Sequence, residues 1–383
     1  MNKWQIRSVF QITKYFSAAL IIISLQGCEL SDRDLLAPIA GREEPIEAEI
    51  TKWFNDHKAA VALNYDHGYP TTTSYARDAL ALLKKHNAVM DYDIVTHSLM
   101  QSDSMKSFIL NEIIPSGMGV FGHGHKHDNH DDKSYDDAYA SFKQCYDDMV
   151  TLGIKPVSYA YPGGWGYHLS TRKALKDAGF LNGRKFEQLD ISNPFIMPDE
   201  KLEPRDWYAL PTLIMQSEDY DGCIVCVNNA EELAEYLDRA IEKTAWLILT
   251  YHFIGDLNNY GFYYLPEFER DLIAVKSRDI WNDKMDNITL YAYERKGAQI
   301  EAVKIFDEND RVEKIEIKID DGLPNDIFDQ PLTVKFELPE EWGMKKLKVK
   351  SPINSEFYIN PIEKSVLINI LPNEVVYTIE PNL

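Results

Sequence analysis

The chain has 383 residues, with 40 Lys and Arg against 61 Asp and Glu, a net charge of −21 and a pI near 4.9. That balance disfavours nucleic acid and anionic membrane surfaces as partners, because both repel it. The length implies more than one domain, and an aromatic content of 12% suits sugar stacking and an ordinary core equally well.

Lys3, Arg7 and Lys14 make the N-terminus positive, and Tyr15 to Leu25 follows as a short apolar stretch. That stretch is too short for a comfortable membrane span and reads as a secretory signal. It ends Leu25-Gln26-Gly27-Cys28, which resembles the lipobox of bacterial lipoproteins. The resemblance implies cleavage before Cys28, lipid on its sulfur and a place in the bacterial cell envelope, on the periplasmic or surface side. Acyl chains anchor without a spanning helix, since each buried CH₂ contributes ~0.8 kcal/mol. Residues 1–27 are therefore read as signal peptide. Residues 28–50, rich in Glu, Asp, Arg and Pro, are read as a tether.

Ala60 to Tyr65 reads as a short buried strand running into Asp66-His67-Gly68-Tyr69-Pro70. An acid and an imidazole at a strand end suit α/β-fold chemistry, because the strand is rigid and the loop open. The same residues also suit a plain turn. A helical pattern covers Thr73–Lys85, and a Gly-rich approach over 117–122 leads to His123-Gly124-His125-Lys126-His127-Asp128-Asn129-His130. Histidine is the commonest side-chain metal ligand, and His123 and His127 have the i,i+4 spacing that lets two imidazoles on one helix face grip one ion. His125 would face elsewhere. A bare His-rich run can also be a solvated loop or a loose metal sponge.

Ser134–Leu152 is the next helical stretch, with Cys145 on its buried side. Pro156 to Tyr161 is a strand ending in the aromatic, Gly-rich loop Pro162-Gly163-Gly164-Trp165-Gly166. Helical patterns follow at Ser170–Ala178, Ala230–Lys243 and Leu265–Asp279, and Trp246 to Tyr251 is a buried strand that delivers His252. Cys223 and Cys226 suit a local disulfide in an oxidising compartment. Alternating β and α units argue for a barrel-like α/β domain through residue 298. After it, Lys314–Asp320, Leu332–Leu338, Leu347–Lys350, Phe357–Ile359, Val366–Ile370 and Val375–Ile379 read as short strands. Residues 299–383 are thus expected to be a small antiparallel β-sandwich, either a structural buttress or a carbohydrate binder.

The order of these pieces resembles the polysaccharide deacetylase family, the NodB-like carbohydrate esterases, over roughly residues 55–295. The family's Thr-Phe-Asp-Asp-Gly corresponds to Asn64-Tyr65-Asp66-His67-Gly68. Its His-Ser/Thr-x-x-His corresponds to His123-Gly124-His125-Lys126-His127. Its Tyr-Pro-aromatic-Gly strand end corresponds to Tyr161-Pro162-Gly163-Gly164, and its apolar strand ending in His corresponds to His252. The resemblance implies a distorted, incomplete (β/α) barrel over residues 51–298. It also implies hydrolysis of acetyl groups on an acetylated polysaccharide or oligosaccharide, at carbon–nitrogen non-peptide bonds or at esters.

The same resemblance implies a role for each matched position. Asp66 is the general base and His252 the general acid. His67, His123 and His127 hold one divalent ion, most simply Zn²⁺, because His67 stands where the family has a carboxylate. Three imidazoles resemble known catalytic zinc sites with an open fourth position and disfavour hard, oxygen-loving ions. Ala160 stands where many members have an arginine that pairs with the catalytic Asp. The stretch Leu202-Glu203-Pro204-Arg205-Asp206-Trp207 offers Arg205 in its place, with Asp206 and Trp207 lining the pocket. Tyr161, Pro162, Gly163, Gly164 and Trp165 are expected against the substrate, with a backbone N–H of that loop facing the oxyanion. No Gly-x-Ser-x-Gly elbow supports serine-based acyl transfer. The departures at His67 and Ala160 leave open a decayed, sugar-binding lipoprotein. The His cluster alone leaves open a metal-capture lipoprotein.

Overall fold

The computed structural model describes residues 40–66, 73–186, 193–218, 226–351 and 355–382. The signal stretch, Cys28, His67 and Cys223 lie outside the described residues. Two short strands come first, β1 (Glu43–Pro45) and β2 (Ala48–Ile50). The alternating region then runs β3 (Ala59–Tyr65), α1 (Thr73–His86), β4 (Met90–Ile94), α2 (Thr96–Gln101), α3 (Asp103–Phe108), β5 (Gly119–Gly122), α4 (Tyr135–Thr151) and α5 (Leu169–Ala178). It continues β6 (Leu213–Met215), α6 (Ala230–Glu242), β7 (Trp246–Tyr251), α7 (Leu265–Lys276), β8 (Ile280–Asn282) and α8 (Met285–Gly297). Seven strands complete the chain: β9 (Gln299–Phe306), β10 (Val312–Asp320), β11 (Leu332–Glu337), β12 (Leu347–Lys350), β13 (Glu356–Ile359), β14 (Ser365–Ile370) and β15 (Tyr377–Pro381).

The helices start and stop where side chains can serve their orphan backbone groups. Ser134 accepts from the Asp137 N–H at the head of α4, Asn229 accepts from the Glu232 N–H at the head of α6, and Gly179 at φ 111° ends α5. Among the described residues no helix is long and apolar enough to cross a membrane.

Strands β5, β4, β3, β7 and β6 lie side by side and parallel, with β8 also on β3. Parallel bridges continue the sheet from Gly122 to Tyr159, from Ala160 to Arg184 and from Arg184 to Leu210. Leu210 lies three residues before β6, which pairs with β7, so the sheet returns on itself as a distorted (β/α) barrel. Side chains alternate across a strand. Val61, Leu63 and Tyr65 of β3 enter the outer core with Leu80 and Leu83 of α1 and Leu272 of α7. Ala60 and Ala62 enter a second core with Trp246, Ile248 and the α8 residues Met285, Ile288 and Tyr291. By the same alternation Asn64 and Asp66 belong to the inner face, at its upper end.

The β unit has two antiparallel sheets, in the orders β1-β9-β10-β15-β12-β13 and β14-β11-β2. Its Ile315, Ile317, Val334 and Ile370 are fully buried and share the second core with α8 and the barrel. This continuity makes the unit a packed base for the barrel. The N-terminal stretch differs from expectation. Residues 43–50 are not tether: β1 pairs with β9 and β2 pairs with β11, one strand in each sheet. Charged residues at alternate positions of Glu43-Glu44-Pro45-Ile46-Glu47-Ala48-Glu49-Ile50 face solvent on edge strands, which makes the segment resemble a solvated linker.

Candidate active site

The strand ends β3, β5 and β7 and the segment around Arg184 meet at the C-terminal mouth of the barrel. Asp66 directly follows β3, where its N–H donates to the Tyr251 carbonyl of β7 at 2.9 Å. Its carboxylate is 8% exposed, and Arg184 Nη2 lies 2.6 Å from both of its oxygens. Burial pushes the Asp66 carboxyl up, but Arg184, then His123 and His252, outweigh it and hold the group below the usual carboxylate range. Asp66 is therefore an ionised acceptor in a nearly dry place.

Arg184, not Arg205, is the cation on Asp66. Arg205 is exposed, and Arg184 sits on the barrel wall where its N–H donates to Tyr159 and its carbonyl accepts from Tyr161. Sequence reasoning passed over Phe180-Leu181-Asn182-Gly183-Arg184-Lys185-Phe186 because three polar residues and a glycine interrupt it. The available signal was its place directly after the Gly179 helix stop, where a β/α order requires a strand.

His123 continues β5 and is buried, and its N–H donates to the Ile94 carbonyl of β4 at 2.9 Å. Its ring Nδ1 lies 2.9 Å from the Ala160 carbonyl, so Nδ1 carries a proton and donates it there. The His127 ring stands 4.8 Å from the His123 ring, centroid to centroid. The two are not on one helix. The chain turns back through Gly124 at φ 91° and His127 at φ 58°, and this loop brings the imidazoles together. Burial, then His123, lowers the His127 pKa, which favours a neutral ring able to bind a metal.

The other two histidines of the run are structural. His125 Nδ1 lies 3.0 Å from Asp148 Oδ2 and 3.2 Å from Thr96 Oγ1. His130 stacks on Phe142 at 4.2 Å, with Nε2 at 2.9 Å from Ser141 Oγ.

His252 follows β7 with its Nε2 4.0 Å from Asp66 Oδ2 and its ring edge-on to the exposed Tyr260. Burial lowers its pKa, and Asp66 opposes that only in part.

The loop after Tyr161 is pinned from two sides. Asp131 accepts from the N–H groups of Gly166, Tyr167 and His168, and Arg172 donates to the Gly166 and Tyr167 carbonyls. Pro162 is buried and would touch a Cβ placed on Gly124, so this loop lies against the His123–His127 turn. Tyr161 is itself core, with its hydroxyl donating to the Tyr208 carbonyl. The Trp165 ring folds over Gly163, which has φ 64°. The N–H of Tyr161 goes to Arg184 and that of Gly164 to Tyr161, and Pro162 has none. Trp207 stacks on Tyr293 of α8 at 4.3 Å, and Asp206 pairs with Arg172 at 3.0 Å, so these two support the fold and do not join the Asp66 cluster.

Among the described residues no three His, Cys, Asp or Glu side chains converge as a ready metal site. The His123–His127 pair fits two ligands of a divalent ion, on the evidence of their rings 4.8 Å apart, the commitment of His123 Nδ1 to a backbone carbonyl and the depressed basicity of His127. Cys226 is disulfide-bonded, and Cys145 is a buried free thiol.

Residues 55–183 match the family model "Polysaccharide deacetylase". A search of curated proteins finds no match. Among solved structures, a Mycobacterium smegmatis protein described as a polysaccharide deacetylase is 17% identical, with 66% of this chain and 96% of that one covered and a TM-score of 0.47. A family 4 carbohydrate esterase from Streptomyces lividans is 11% identical, covering 59% and 92%, at a TM-score of 0.38. A CE4 family pseudoenzyme from Bacillus anthracis is 12% identical, covering 60% and 65%, at 0.39. By the family match, residues 55–183 carry a polysaccharide deacetylase domain.

Proposed function

We propose that this protein is a metal-dependent hydrolase that removes acetyl groups from carbohydrate, with the N-acetyl groups of an amino-sugar polymer or oligomer as its favoured substrate. The observation that carries the reading is the ionised, buried Asp66, held by Arg184 with His252 beside it and the His123–His127 pair in its field. His67, His123 and His127 would hold the ion, which the imidazole donors suit to Zn²⁺. When bound, such an ion lowers the pKa of water toward ~7 and polarises the acetyl carbonyl. Asp66 takes the proton of the attacking water, and Arg184 keeps it ionised for that task. A backbone N–H of the Tyr161–Gly164 loop would meet the developing oxyanion, and His252 gives a proton to the leaving amine or alcohol.

The test is acetate release from acetylated chitooligosaccharides and from acetylated xylan, with and without chelator. Turnover of the first, lost to chelator and restored by zinc, supports the reading. Zinc binding without turnover on either substrate overturns it in favour of metal capture, and oligosaccharide binding without either overturns it in favour of a lectin-like role. We also place the protein in the bacterial cell envelope with lipid on Cys28, on the lipobox-like sequence. Equal detergent-phase partition of Cys28→Ser and wild type would refute that anchor.

A further inference from the structure

His252 directly follows β7, and the segment after it is held down from both ends. Phe253 has φ 34°, a conformation that an ordinary residue keeps only where its surroundings impose it. The Ile254 N–H donates to the Tyr65 hydroxyl at 3.1 Å, and the Gly255 N–H donates to the Tyr263 carbonyl at 2.8 Å. The buried Asp256 accepts from the Asn258 N–H and from the Asn259 amide. At the far end the Ser217 N–H donates to the Phe262 carbonyl, and the Ser217 hydroxyl accepts from the Tyr264 N–H, each at 3.1 Å. Gly261, at φ 61°, turns the chain back onto His252, where a Cβ placed on it would stand 3.4 Å from the His252 Cβ. Residues 253–264 are thus a closed, pinned loop.

On this pinned backbone Tyr260 puts a large ring into solvent. It is 64% exposed, whereas Tyr251 and Tyr263 on either side are fully buried. Its ring stands 5.5 Å from that of His252, centroid to centroid, with the two planes at 85°. The mechanism above gives it no role. In that mechanism His252 gives its proton to a nitrogen or oxygen that belongs to the sugar. That atom must come within hydrogen-bond reach of the imidazole. A sugar ring therefore comes to rest beside His252, where Tyr260 stands. A pyranose has an apolar face of C–H groups, and an aromatic ring carries negative charge on its face, so the two suit each other. Tyrosine offers that area with only two side-chain torsions to fix.

We propose that Tyr260 is the platform of a sugar subsite on the leaving-group side of His252, where it stacks a pyranose ring of the acetylated chain. This rests on the hydrolase reading under the proposed function. Tyr260 binds and orients the sugar and moves no proton. It makes the site prefer an acetylated sugar over a simple acyl ester.

The test compares wild type with Tyr260→Ala and Tyr260→Phe. Acetate release is measured on N-acetylated chitopentaose and on 4-nitrophenyl acetate, which has no pyranose face, and binding of the pentasaccharide is read separately by calorimetry. Tyr260→Ala should raise both KM and Kd for the pentasaccharide about tenfold, the scale of truncating an aromatic anchor, with a smaller change in kcat. Its kcat/KM should fall further on the pentasaccharide than on the simple ester. Tyr260→Phe keeps the ring and should match wild type. A Kd for Tyr260→Ala within about twofold of wild type, against that scale, overturns the proposal. Equal losses in the Phe and Ala variants overturn it too, since they put the contact on the hydroxyl. If Tyr260→Ala does not fold, Tyr260→Leu decides, because it keeps apolar bulk against His252 without an aromatic face. Weakened binding in it supports the platform, and wild-type affinity overturns it. The two readings fail separately. Pentasaccharide binding that depends on Tyr260, with no acetate released by wild type, refutes the hydrolase and leaves the subsite standing. Acetate release left unimpaired by Tyr260→Ala, or no pentasaccharide binding by wild type, refutes the subsite.

Discussion

Arg184 Nη2 sits 2.6 Å from both oxygens of Asp66, in a pair whose partners are 2% and 8% exposed. Removing one member of such a pair strands a buried charge, at a cost of about 3–5 kcal/mol. Arg184→Gln should therefore lower both stability and kcat. Its remaining activity should also lose its acid limb at higher pH, because Asp66 loses the charge that holds its pKa down. Arg205→Ala, at an exposed position, should stay within about 0.5 kcal/mol of wild type with unchanged activity. Urea unfolding and a pH profile of kcat/KM on both variants check this. Equal effects from the two substitutions would refute the assignment.

The His252 ring, with a lowered pKa, lies 4.0 Å from Asp66, and in the proposed reaction it is the proton donor. Positioned proton transfer is worth about 10²–10⁴-fold in rate. His252→Ala and Asp66→Asn should each reduce kcat by about that factor while zinc content, measured by elemental analysis, stays level. Zinc loss in parallel with activity would make these residues scaffold instead of proton carriers.

What could be read from the sequence followed from period and order. β3, β7 and most helices announce themselves by apolar runs and caps, and Asp66 and His252 fall where those runs stop. The rest required three-dimensional closure. Arg184 becomes the partner of Asp66 only because the 159–160, 184 and 210 segments complete the barrel wall, and each is a one- or two-residue bridge too short to show a period. The His123 and His127 spacing suggested a helix, and two positive-φ residues made a turn instead. Asp91 and Asp93 in Met90–Ile94 break the apolar pattern of a buried strand, because their carboxylates face the barrel interior.

The strands β1 and β2 give a further expectation. β2 pairs with β11 through Ala48–Ile50, and β1 pairs with β9 through Glu43–Pro45. Deleting residues 40–50 exposes the edges of both sheets and part of the core shared with α8. The truncated protein should unfold at lower urea and aggregate more readily than wild type, whereas a true tether would be silent. Denaturation midpoints of the two proteins decide.

His130 sets a pH limit on the fold. Burial is the first cause that brings its pKa from 6.5 down to about 4, and its ring is stacked on Phe142 with Nε2 beside Ser141. Below pH 6.5 the unfolded chain binds a proton at this position that the folded chain refuses until about pH 4. The unfolded state then holds more protons, so stability rises with pH across that window. It is complete above about 6.5 and lost as pH falls through it, by an amount on the order of 3 kcal/mol at most, since one pKa unit is worth about 1.4. His130→Gln removes the titrating ring. It should be less stable than wild type at pH 7.5, through lost stacking, yet should show a shallower fall in Tm between pH 6.5 and 4. Parallel Tm-against-pH curves for the two proteins would assign the acid sensitivity to other groups.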